Sequence, residues 1–298
     1  MQTLVNRIYL NNKGSIAEGV KASYIPALAN IPDNLGLAVR DHESIYTAGD
    51  TSYRFTFQSM SKVMLLLVAL EDNDTDYIFN HVGMESSGDS FNSISKLDFT
   101  NVIKPYNPFI NAGAILIASL IKGSDYAEKL KKITSLCEKV FDRTDIGFNE
   151  EIYLSERNNA YRNRALAYLL KEKDILEGDV EELLDLYFKC CSIEVNCVDL
   201  ANLGYFLSFN KKDIIKDNHL RIVKALMLTC GMYDYSGEFA VKIGLPSKSG
   251  VSGGIVTCVP QKMGIGVFSP RLDSKGNSIV GVQCIKELDE SLDLNIFR

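Results

Sequence analysis

Strand-like segments stand near the two ends of this chain, and helical periodicity fills what lies between. LGLAVRD (residues 35–41) and SIYTAGD (44–50) flank a short polar turn and read as a hairpin. After residue 237, SGGIVTCVP, MGIGVFSP and SIVGVQCI carry the glycines and β-branched residues of strands or of strand-to-helix edges. Between these regions apolar residues recur at helical spacing in NAGAILIASLI (111–121), YAEKLKKITSLCEKVF (126–141), RNRALAYLLKE (162–172), DVEELLDLYFKCCS (179–192), VDLANLGYFLSF (198–209) and NHLRIVKALMLTCG (218–231). A helix over residues 2–12 opens the chain, and the amphipathic KELDESLDLNIF closes it as another. Two strand-rich ends too small to stand alone must pair into one sheet. Residues 1–60 and 232–298 then form an α/β lobe, residues 61–231 a helical lobe inserted beside it, and a cleft lies between them. The 298 residues are expected to work as a single catalytic unit.

Charge and composition exclude several classes of function. The net charge is −6 and no Lys/Arg run exceeds two residues, which argues against nucleic acid as a partner, because phosphate neutralisation needs clustered cations. The longest fully apolar run, VMLLLVAL, spans residues 63–70. It falls short of the roughly 20 residues that cross a bilayer, so no membrane partner is expected. The start, MQTLVNRIYLNNKG, lacks a basic stretch followed by an apolar core and does not read as a secretory signal; the expected location is the cytoplasm. Seven cysteines, an odd number with no CxxC pair, fit a reducing compartment as small buried hydrophobes. Three histidines (His42, His81 and His219), far apart in sequence, give no metal-ligand spacing, so neither a metal nor a cofactor is expected.

Nucleophilic chemistry enters with FTFQSMSKVM, residues 55–64. If a helix begins at Ser59, then Ser59 and Lys62 share a face, whereas Ser61 points about 100° away. A lysine takes a hydroxyl proton only when neutral, which requires desolvation or nearby cations; the apolar run that follows provides a dry setting. Spacing alone is a weak signal, since Ser-x-x-Lys also occurs at Ser93–Lys96, Ser119–Lys122 and Ser208–Lys211. The bland alternative for Ser59 is a helix N-cap. What distinguishes the first instance is KSG at residues 248–250, in the glycine-rich C-terminal part. An early Ser-x-x-Lys and a late Lys-Ser/Thr-Gly is the arrangement of serine β-lactamases and penicillin-binding proteins.

Longer stretches are more specific. QSMSKV (58–63), NPFINAGAI (107–115), SERNNAYRNRALA (155–167), CSIEVNCVDLANLG (191–204), MYDYSGEFA (232–240) and GLPSKSGVSGGI (244–255) follow in this order, with SYIPALA (23–29) and HVGMESSGDSFNS (81–93) besides. Together they resemble the serine-dependent glutaminases of bacterial type over nearly the whole chain. The resemblance implies a β-lactamase-like α/β (α+β) fold, with a mostly antiparallel sheet flanked by helices and an inserted helical lobe. It also implies hydrolysis of L-glutamine to L-glutamate and ammonia, and a homodimer or homotetramer. Position by position, Ser59 matches the family's nucleophile, Lys62 its general base and Tyr233 the tyrosine that shuttles a proton to the leaving amine. Val251 matches the residue whose backbone N–H completes the oxyanion hole with that of Ser59. Tyr24, Asn111, Glu156, Asn163 and Tyr187 match the substrate-binding set.

The implied chemistry is coherent: glutamine's far end is a zwitterion, which needs an anion such as Glu156 for its ammonium and donors such as Asn111, Asn163 and Tyr187 for its carboxylate. Taken singly, Glu156 would read as a surface charge, Tyr187 as partly core and Asn111 as a helix N-cap. Two other readings remain: a β-lactamase or peptidase on the same fold, and a catalytically silent binding protein that has kept it.

Overall fold

The computed structural model of the protein describes residues 1–88, 93, 104–209 and 214–298. The Ser-x-x-Lys lysines Lys96 and Lys211 lie outside the described residues, as does most of the end of HVGMESSGDSFNS.

The N-terminal run forms helix α1 (Gln2–Asn12), followed by strands β1 (Gly36–Arg40) and β2 (Ile45–Gly49). These two strands make the expected hairpin, with Gly36 opposite Gly49 and Arg40 opposite Ile45. Asp41 turns the corner: its Oδ1 accepts the backbone N–H groups of Glu43 and Ser44 at 2.8 and 2.9 Å, an Asx turn. A short strand β3 (Phe55–Thr56) leads into α2 (Ser61–Asp72) and α3 (Thr75–His81). The middle of the chain builds α4 (Asn111–Leu120), α5 (Tyr126–Phe141), α6 (Glu150–Asn159), α7 (Tyr161–Glu172), α8 (Val180–Cys191), strand β4 (Glu194–Val195), α9 (Cys197–Phe209) and α10 (Asp217–Cys230). The short helix α11 (Ser236–Lys242), strands β5 (Ser247–Ser249), β6 (Gly254–Val259) and β7 (Met263–Phe268), and helix α12 (Ile279–Leu292) complete it.

The two ends of the chain do share one sheet. Its strand order is β2-β1-β7-β6-β5, and every adjacent pair is antiparallel. Strand β7 joins the ends, with Gly36 opposite Phe268 on one side and Gly254 opposite the same residue on the other. Helix α9 lies flush on one face. A Cβ at Gly266 would stand 2.1 Å from the Cys197 carbonyl oxygen, and one at Gly264 would stand 2.0 Å from the Tyr205 nitrogen, so only glycine lets the helix backbone come so close. On the opposite face α1 and α12 pack together, and Val5, Ile8, Cys284, Ile285 and Leu288 meet Leu37, Val39, Ile265 and Val267.

Helix α2 is apolar on every side, and Ser61 to Leu70 are all buried; such a helix belongs at the centre of a bundle. It packs against α4, α5 and α10. Side-chain caps start several of the surrounding helices: Asp125, Asn149 and Asp179 accept the N–H groups of Glu128, Ile152 and Glu182.

One segment expected as a strand or a strand-to-helix edge is an edge: Ser278 pairs with Leu272 in an isolated bridge and α12 begins at the next residue. SIVGVQCI has strand composition, but the Ser278 hydroxyl accepts the Gly281 N–H at 3.1 Å and caps α12. The closing amphipathic stretch is therefore the second half of that helix rather than a separate one. All seven cysteines are free, buried thiols. Among the described residues no helix is long and apolar enough to cross a membrane.

Candidate active site

Ser59 does not cap a helix. Gln58–Met60 form a single 3₁₀ turn that runs into α2, whose first flanking residue is Met60 and whose start carries no side-chain cap. Residues three apart eclipse one another in such a turn, so the expected shared face of Ser59 and Lys62 survives the change of helix type. The backbone before the serine is unusual: Gln58 has φ of 47°, a left-handed conformation uncommon outside glycine. Tyr233 has φ of 56°, rarer still for a bulky aromatic residue. Strained backbone of this kind costs on the order of 1–3 kcal/mol and persists where surrounding structure enforces it.

One cavity collects most of the expected residues. Tyr24, Ser59, Asn111, Glu156, Asn163, Tyr187 and Val251 all line it, and it opens to the surface as a cleft. Tyr24 stands half exposed at the rim, whereas Ser59, Glu156 and Tyr187 are buried. Lys62 and Tyr233 sit behind the wall. The Lys62 Nζ donates to Asn111 Oδ1 at 2.7 Å and to the Phe109 carbonyl at 3.0 Å. Asn111 passes the connection on, its Nδ2 donating to Asn163 Oδ1 at 2.9 Å. Asn111 is the first residue of α4, and its side chain serves this chain of contacts instead of capping the helix. The Tyr233 hydroxyl donates to the Ser249 carbonyl at 3.1 Å, and the Ser59 side chain hydrogen-bonds the same phenol. Ser61, by contrast, is fully buried beside the Cys191 thiol and does not line the cavity.

Burial sets the electrostatics. It pushes the Lys62 ammonium down to about 8, against the weaker opposing pull of Cys191 and Glu156. It lifts the Glu156 carboxyl to about 7, although the Gln58 amide and Lys62 favour the carboxylate. Burial likewise raises the Tyr233 phenol, with the Ser59 hydrogen bond acting in the opposite sense. A lysine, a carboxyl and a phenol are thus all displaced toward their neutral forms around one serine, an arrangement characteristic of functional sites.

Besides the apolar Ile25 and Ala160, four wall residues were not foreseen from sequence. Gln58 donates from Nε2 to Glu156 Oε2 at 3.3 Å; its place beside Ser59 in the sequence was the available signal. Asn159, Arg162 and Cys191 also line the cavity. Two flank Glu156 and Asn163 within the SERNNAYRNR motif, and Cys191 ends the helix that carries Tyr187. Val251 follows the KSG segment in a tight turn in which Gly250 N–H donates to the Gly254 carbonyl and Gly253 N–H to that of Gly250, both at 2.9 Å. A Cβ on Gly250 would come within 3.1 Å of the Phe57 carbonyl and 3.2 Å of Met60, so glycine lets this turn approach the serine turn.

Comparison with known proteins agrees with the geometry. A family model described as Glutaminase matches residues 19–297. A glutaminase of Clostridioides difficile (strain 630) is 51% identical over 304 residues, covering 99% of this chain and 98% of that protein. Among solved structures, the probable glutaminase ybaS superposes with a TM-score of 0.94 at 34% identity, covering 100% of this chain and 98% of its own. The covalent complex of the Bacillus subtilis glutaminase YbgJ with 5-oxo-L-norleucine, formed by reaction with 6-diazo-5-oxo-L-norleucine, superposes with a TM-score of 0.90 at 36% identity over 99% of both chains. The expected fold is borne out: a β-lactamase-like architecture of helices and antiparallel sheet.

Proposed function

Because this chain belongs to the glutaminase family and is an amidohydrolase, we propose that it hydrolyses the side-chain amide of L-glutamine through an ester on Ser59. The observation that carries this reading is the single cavity in which Ser59 and the buried carboxyl of Glu156 face the same space, with Asn111 linking that space to Lys62. The Bacillus subtilis relative supports it, since that protein forms a covalent complex with 5-oxo-L-norleucine, a molecule with a ketone where glutamine has its amide carbon.

The Ser59 oxygen attacks the amide carbon, and the carbonyl oxygen takes the negative charge, stabilised by the N–H groups of Ser59 and Val251. Lys62 is the base. As a neutral amine it has two hydrogens, and the contacts to Phe109 and Asn111 can use both. Its lone pair then remains for the serine proton. Tyr233 relays a proton to the departing nitrogen, so ammonia leaves and the serine ester remains. Water then attacks the ester, returning its proton to the same groups and releasing glutamate. Glu156 faces the substrate ammonium, with Gln58 holding one of its oxygens, while Asn111, Asn163 and Tyr187 serve the α-carboxylate and Tyr24 closes the rim.

The site draws Ser59, Tyr233 and Val251 from residues 1–60 and 232–298, and Lys62, Asn111, Glu156, Asn163 and Tyr187 from residues 61–231. We accordingly propose that these are two lobes of one catalytic unit. From the family resemblance, the working form is a cytoplasmic homodimer or homotetramer.

Ammonia release from glutamine, asparagine and N-acetylglutamine, with nitrocefin cleavage alongside, tests the reading. L-glutamine should dominate. Asparagine, one methylene shorter, leaves its amide carbon about 1.3 Å short of the serine, a misplacement worth roughly 100-fold. N-acetylglutamine lacks the cation that Glu156 requires. Nitrocefin turnover without glutamine turnover would replace the proposal with the β-lactamase alternative, and inactivity on all four would favour the silent binding protein.

A further inference from the structure

The KSG motif led to the serine chemistry, yet its lysine has no part in the steps above. Lys248 is fully buried, with 0% of its surface exposed. Its Nζ donates to the Ser249 carbonyl at 2.6 Å and lies 4.5 Å from the centre of the Tyr233 ring and 5.9 Å from that of Phe109. Among the described residues the charges it faces are Lys62, which disfavours an ammonium, and the Cys230 thiol, with no carboxylate among them. Burial above all, and then Lys62, hold this lysine well below its ordinary pKa. An apolar side chain of similar length would be cheaper to bury here, so stability gives no reason for a lysine.

Its contacts give one. The Ser249 carbonyl has two lone pairs, and it receives both the Lys248 amine and the Tyr233 hydroxyl. In the empty site the phenol hydrogen points at that carbonyl, and the phenol oxygen faces Ser59. The amine also underlies the ring of a tyrosine whose backbone is in the left-handed region. We propose that Lys248 is a positioning residue for the nucleophile, fixing the Ser249 carbonyl and the ring of Tyr233 so that the phenol oxygen stays aligned on Ser59. This inference rests on the reading of Ser59 as the nucleophile. It predicts loss in the chemical step rather than in binding, because Glu156, Asn163 and Tyr187 lie on other elements and keep their places.

The test is Lys248→Met, which keeps the length and removes the donor, measured in two ways. Glutamine turnover should show kcat reduced at least about 10-fold with KM within about 3-fold of wild type. Labelling by a fluorophosphonate probe, followed by intact mass, should proceed more slowly by a comparable factor yet reach the wild-type endpoint on Ser59. Rate and endpoint separate the explanations, since a merely structural lysine would lower the labelled fraction and leave the rate of the remaining sites unchanged. That outcome, or a rate within about 2-fold of wild type, overturns the proposal. If the methionine variant does not fold, Lys248→Gln is judged by the same rate and endpoint. A wild type that labels on Ser59 but releases no ammonia would end the glutaminase reading, and the labelling rates would still decide the role of Lys248.

Discussion

Lys62 and Asn111 are joined, Nζ to Oδ1, by a 2.7 Å hydrogen bond between two buried side chains. The acceptor is a neutral amide, and that choice matters for a lysine that must lose its proton. In Asn111→Asp the shape is retained but a carboxylate faces the amine. An opposite charge favours the ammonium and raises its pKa. The midpoint of the acid limb of kcat/KM, set in the wild type by Lys62 at about 8, should move up by at least about one unit, and activity at neutral pH should fall about 10-fold per unit. A pH profile superimposable on wild type would mean that Lys62 is not the titrating base.

The proposed mechanism requires two groups to be deprotonated, Lys62 at about 8 and Glu156 at about 7. Log kcat/KM should therefore climb with a slope near one between these values and steepen toward two below them, the apparent constants belonging to the interacting set. Lys62→Arg should be inactive throughout, because arginine keeps its charge. Appreciable turnover by that variant would remove the neutral-base role.

Ser59 and Ser61 are two residues apart, but Ser59 lines the cavity and Ser61 does not. Ser59→Ala should abolish turnover and covalent labelling. Ser61→Ala, which removes a hydroxyl packed against Cys191, should retain most activity. Digestion and mass spectrometry of a trapped acyl-enzyme would place the adduct, and its appearance on Ser61 would reverse the assignment.

Glu156 costs the empty protein stability. Its carboxyl titrates at about 7 when folded and near 4.5 otherwise, so the folded state binds the extra proton between those values and stability falls as pH rises through that window. In Glu156→Gln the penalty is absent, on the order of 3 kcal/mol once fully developed above the folded value. The Tm advantage of the variant should be near zero below the unfolded pKa and grow to a plateau above neutral pH, while its KM for glutamine rises. Equal thermal stability across that range would indicate a carboxylate comfortable in its pocket.

Long periodic segments were legible in the sequence: α1, the hairpin and the six amphipathic runs all form where spacing places them. The failures have physical causes. EEIYLSERNN has few apolar residues to show a period, and α6 is held by the Asn149 cap and the burial of Ile152 and Glu156. Strands β3 and β4 are two residues each, too short for any alternation to register. For SIVGVQCI composition left strand and strand-to-helix edge both open, and the capping serine, which marks it as the edge, was not weighed. At the site, serine and lysine could be paired from helix geometry, whereas the assignments of Glu156, Asn163 and Val251 came through motif resemblance. The contacts of Lys248 and the left-handed backbone of Gln58 and Tyr233 depend on tertiary approach, which no local pattern encodes.

The central strand of the sheet is nearly the last to be made. On the ribosome, the β1–β2 hairpin emerges with its inner edge unsatisfied, because Gly36 must wait for Phe268 and Arg40 for Gly264. Residues of the helical middle can bury one another as they appear, since their contacts are local, but the sheet closes across the whole length of the chain, a slow kind of contact to form. Ser59, synthesised early, has neither Tyr233 nor Val251 beside it until the last part of the chain arrives. Synthesis interrupted before β7 would leave an exposed strand edge and no hydrolase, so glutamine is spared from half-made enzyme by the order in which its parts are assembled.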